Sequence, residues 1–95
     1  MSLKAFVVVT SLLAAAPALA CNPPAAPKSI PDGKTASKDA MLAKKKEVDN
    51  YRREVEQYLA CERNPVRMQN AQDELDRVAN RFNAEVRAFK AANDS

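Results

Sequence analysis

The chain has no histidine and no tryptophan, a single glycine, two cysteines and 5% aromatic residues among its 95 positions. Each shortage narrows the reading. Without histidine there is no imidazole general acid or base, and no histidine metal site. One glycine and few aromatics argue against a sheet protein, whose turns and strands draw on those residues, and favour helix. The two cysteines, Cys21 and Cys61, form no Cys-x-x-Cys motif, and no histidine is present to activate a thiolate. An excess of charge of one sign is also lacking. The formal net charge is +3, and +2 once Lys4 is set aside (14 basic against 12 acidic side chains). That balance predicts no strong attraction to nucleic acid or to a membrane surface.

What is present divides into three parts. Residues 1–20 read as a secretory signal peptide. Lys4 is its positive end, Ala5 to Ala16 its apolar run, Pro17 a helix breaker, and Ala18-Leu19-Ala20 the small-residue pattern read at cleavage. The apolar run is short for a membrane span. Cleavage after Ala20 would place Cys21 first, so a second reading is a lipoprotein acylated at Cys21. Ala18 stands where such signals usually carry leucine, and Pro17 is atypical, so the soluble exported form fits better.

Residues 21–36 form an arm with four of the six prolines, at positions 23, 24, 27 and 31. Proline fixes φ and lacks an amide hydrogen, so the arm is extended. Pro31-Asp32-Gly33 signals a β-turn, with glycine suited to positive φ. Two readings stay open: a simple tether, or an arm that packs back along the helices through Ile30.

Residues 37–92 read as a helical hairpin, with helices at about 37–62 and 65–91. Thr35 or Ser37 can cap the first, with Asp39 in its first turn. Met41, Val48 and Val55 recur every seven residues, and Tyr51 and Tyr58 follow three residues after the valines. This is an a/d heptad seam, weakened by Lys44 at the first d position. Asp49 with Arg53, and Arg52 with Glu56, have the spacing of outer-face ion pairs. Lys44-Lys45-Lys46 reads as solvated surface. Asn64-Pro65 supplies an N-cap and a favoured first helical residue. A turn there gives the hairpin, and a kink would give one long helix; the hairpin is favoured because a kinked helix leaves both apolar stripes without a partner. In the second helix Met68, Ala71, Leu75, Val78, Phe82, Val86 and Phe89 hold helical spacing. The tyrosines and phenylalanines on these stripes read as core.

The expected fold is therefore all-α: a two-helix, antiparallel, coiled-coil-like hairpin preceded by an extended proline-rich arm. So small a core usually needs a staple or a partner subunit. A Cys21–Cys61 disulfide would serve: helix one rises roughly 36 Å and the arm reaches about 50 Å.

In Cys21-Asn22-Pro23-Pro24, Ile30-Pro31-Asp32-Gly33, Tyr58-Leu59-Ala60-Cys61-Glu62 and Arg81-Phe82-Asn83 the chain resembles small exported helical proteins of proteobacteria that carry no assigned activity. The resemblance implies an address and a shape, not a mechanism. The sequence thus predicts a periplasmic or secreted structural or interaction protein, with the outer-membrane lipoprotein as the alternative. It predicts no catalytic residue, cofactor or metal. Expected partners are a second copy or another helical protein, and a membrane only if Cys21 is acylated.

Overall fold

A computed structural model describes residues 21–94; the leader expected at 1–20 lies outside the described residues. Two helices follow the arm, α1 at Lys38–Cys61 and α2 at Pro65–Asn93. They pack antiparallel as a hairpin, and the described residues contain no strand. The chain turns at Pro65 rather than kinking there. Helix one is slightly shorter than expected and helix two slightly longer. Ser37 is outside α1 as its N-cap, with the Oγ accepting from the Ala40 amide at 3.1 Å. Glu62 ends it in an extended conformation at ψ 139°. Asn64 caps α2 twice over: its Oδ1 accepts from the Val66 amide at 2.9 Å and the Arg67 amide at 3.1 Å. Proline at N1 gives up an amide hydrogen that has no helical partner in any case.

The heptad seam is the core. Met41, Val48, Tyr51 and Val55 of α1 meet Leu75, Val78 and Phe82 of α2 in one buried cluster. Val55 is wholly enclosed. Burial of each such side chain is worth about 1.5–3 kcal/mol against exposure. Val86 and Phe89 pack on its edge, half-buried.

The arm is no free tether. Ala26, Ile30 and Ala36 pack against the core cluster. The arm descends from the hairpin tip to its open end, antiparallel to α1, between one flank of α1 and one flank of α2. Asp32 closes its lower end. The Asp32 carbonyl accepts from the Thr35 amide at 3.1 Å and the Ala36 amide at 2.9 Å, and its Oδ1 accepts from Lys34 N at 2.9 Å. Ser29, at φ 58°, is the single non-glycine described residue in the left-handed region, and bends the arm just before Ile30.

Two sequence expectations change here. Lys44 does not join a solvated lysine face: its ammonium pairs with Glu47 and donates to the Lys28 carbonyl at 2.9 Å. The misfit d position thus ties the arm to α1. On the outer face Asp49 pairs with Lys45 at 3.0 Å rather than with Arg53, and Arg53 reaches Asn50.

Candidate functional site

The residues singled out in the sequence converge at the hairpin tip. Cys21 begins the arm and Cys61 is the last residue of α1. Their sulfurs stand at disulfide distance, 2.02 Å, with the Cα atoms 5.7 Å apart across a sequence separation of 40. Cys61 is exposed and Cys21 half-buried, so a dissolved thiol can reach the pair.

Beside the cysteines lies a polar knot that sequence reasoning missed. Glu62 is buried although charged. Its Oε2 accepts from the Arg63 amide at 3.1 Å and the Asn64 amide at 3.0 Å. Its Oε1 accepts from the Tyr58 hydroxyl at 3.0 Å and faces Arg67 Nε at 3.2 Å. One carboxylate therefore collects the free amides of the interhelix turn and ties both helices together. The Asn64 amide above all, then Arg67, holds its carboxyl down at about 2 from an ordinary 4.5, against the opposing effect of burial. Tyr58 moves the other way: burial raises it first, and the Glu62 carboxylate raises it further. Burial likewise raises Tyr51. Both phenols stay neutral at neutral pH, and that of Tyr58 is the one that donates to Glu62.

The depressed Glu62 pKa fixes a pH dependence. A carboxylate that is more acidic folded than unfolded adds stability above the unfolded value, and loses it as pH falls through the folded one. The window runs from about 4.5 down to about 2. Glu62→Gln removes the charge, so the acid limb of the stability profile should flatten across that window while the neutral-pH protein becomes less stable. Urea midpoints at several pH values check this. Parallel acid limbs in wild type and variant would remove the knot from the account.

Between the arm and the hairpin a cleft of about 260 Å³ opens. Pro23 and Pro24 form one wall and Tyr51, Val55, Tyr58 and Ala71 the other, with Arg67 at the rim. A second hollow beside the cysteines is bounded by Asn22, Glu54 and Gln57. On the opposite face, which the arm leaves uncovered, Leu59, Pro65 and Met68 form a shallow apolar spot with Gln69 and Gln72. Leu42 and Val66 are exposed elsewhere, at 49% and 66%.

Among the described residues every buried side-chain nitrogen and oxygen has a hydrogen-bond partner. Satisfied polar groups rigidify a site. No described helix is long and apolar enough to cross a membrane. No family model matches the chain, and no curated protein or solved structure is significantly similar to it.

Two signals for the missed residues were visible in the chain. Tyr58 and Glu62 are four apart, and Glu62 precedes the Asn64-Pro65 cap by two residues. An acid at that place meets amides which a helix start leaves unpaired.

Proposed function

We propose that this is an exported, non-catalytic helical protein of the bacterial periplasm, a rigid hairpin that acts by contact with another protein. The observation that carries the reading is the Cys21–Cys61 pair, 40 residues apart and at bonding distance. Such bonds persist in oxidising compartments and are rare where thiols are kept reduced. The leader-like residues 1–20 point to the same address. The uncovered face around Leu59 and Met68 is the place for a helical partner or a second copy. The mixed charge of both helices disfavours nucleic acid.

The alternative, acylation of Cys21, competes for the same sulfur. A thioether at Cys21 takes its Sγ out of the pair and leaves Cys61 a free thiol. The deciding experiment is the intact mass of the protein from native cell envelope, with and without reductant and alkylation. The exported form has the mass of residues 21–95 less two hydrogens, with thiols that alkylate only after reduction. A mass larger by a diacylglyceryl and an acyl group, with Cys61 alkylated before reduction, makes the protein a lipoprotein instead.

A further inference from the structure

The arm behaves toward the hairpin as a bound ligand. It is extended and carries prolines at 23, 24, 27 and 31, and it lies in the groove between α1 and α2. Its Pro23-Pro24 step stands across a cleft from two tyrosines seven residues apart, Tyr51 and Tyr58, with Val55 between them. Stacked aromatic and aliphatic walls are how proteins take proline-rich segments, because a proline-rich chain is already extended and loses little entropy on docking. Tyr51, Val55 and Tyr58 are buried with the arm in place, and a hollow of about 260 Å³ remains at the Pro23-Pro24 step, lined also by Arg67, Asn70 and Glu74. A foreign proline-rich segment would therefore reach these side chains by taking the arm's place.

We propose that this groove is a binding site for an extended, proline-rich segment of another polypeptide, which the chain's own arm occupies in cis, and that breaking the Cys21–Cys61 bond opens it. This site lies on the face opposite Leu59 and Met68, and it stands even if that open face binds nothing. Tethering makes the arm an intramolecular competitor at an effective concentration of roughly millimolar or above. While the cysteine bond holds, that competitor is fixed at both ends, by the bond at the tip and by α1 at the base. An external dithiol opens it by exchange: two electrons and two protons pass to Cys21 and Cys61, the S–S bond breaks, two thiols form, and the dithiol becomes a disulfide. Exposure of Cys61 gives the attacking thiolate access.

The test uses the full mature chain and two labelled peptides, one with the sequence of residues 22–31 and one in which its prolines are alanine. Three proteins are compared by fluorescence polarisation: the oxidised wild type, Cys21→Ser/Cys61→Ser, and that pair combined with Pro23→Ala/Pro24→Ala, which also weakens the cis arm. Circular dichroism establishes that each is helical. The expected result is no binding to the oxidised protein, binding to the combined variant, and at least a tenfold preference for the proline peptide. Equal binding of both peptides overturns the proposal, as does failure of the helical combined variant to bind either. Equal binding to the oxidised wild type overturns the latch. A disulfide-linked dimer of the reoxidised wild type that binds no peptide makes a second copy's arm the occupant and overturns the foreign ligand.

Discussion

Cys21→Ser/Cys61→Ser should lose about 4 kcal/mol of stability relative to the oxidised protein. The bond closes a loop with a sequence separation of 40, and in the chain-entropy account the loss is the freedom that this closure removes from the unfolded chain. That is a large share of the roughly 5–15 kcal/mol available to a small domain. Two neighbours make the loss felt beyond the arm. Cys61 is the last residue of α1, and Glu62, which gathers the turn, is next to it. The arm in turn covers Tyr51 and Val55, so its release wets one side of the core. Urea denaturation measures the effect. The wild type in reductant should fall to the variant's midpoint, and the variant should ignore reductant. A midpoint that reductant leaves unchanged in the wild type would mean that arm contacts alone hold the fold.

Much of this architecture is legible in the sequence because it rests on periodicity and punctuation. Met41, Val48, Tyr51 and Val55 announce their burial by spacing, and all four are buried against α2. Ser37 and Asn64 announce the helix starts by residue type, and both cap as their chemistry dictates. The two cysteines announce each other by being the chain's pair. Long-range polar geometry is what spacing leaves out. Lys44 looks like a flaw in the seam until the Lys28 carbonyl, 16 residues earlier, is seen to need a donor there. Glu62 looks like one acid among twelve until the fold brings two amides, a phenol and a guanidinium around it. A heptad counts apolar positions on one helix. It carries no information about which polar group on another segment will come to meet an exception.

Gly33 shows the same limit in another form, and it carries the second large effect. As a turn residue it suggested positive φ, but no described glycine has one. The reason for glycine is contact. The Gly33 amide donates to Glu85 Oε1 at 2.7 Å, drawing the arm onto the backbone of α2. A Cβ at Gly33 would collide with the Glu85 carbonyl oxygen and stand 2.8 Å from the Phe89 amide nitrogen. Both are helix backbone, which cannot swing aside as a side chain would. Gly33→Ala should therefore destabilise by about 1–3 kcal/mol, the usual penalty for forcing atoms into filled space. The sign separates the two explanations. At a glycine of ordinary negative φ with open space, alanine stabilises by about 0.4–1 kcal/mol because it stiffens the unfolded chain. A gain at Gly33 would thus place the arm's lower end away from α2. A loss, together with faster hydrogen exchange at the Thr35 and Ala36 amides that Asp32 holds, would fix the arm at its base as the cysteine pair fixes it at the tip. Glu85→Ala provides the control: it deletes the acceptor without filling the space, so it should cost less than Gly33→Ala. If the two losses were equal, the hydrogen bond rather than the close approach would account for the glycine.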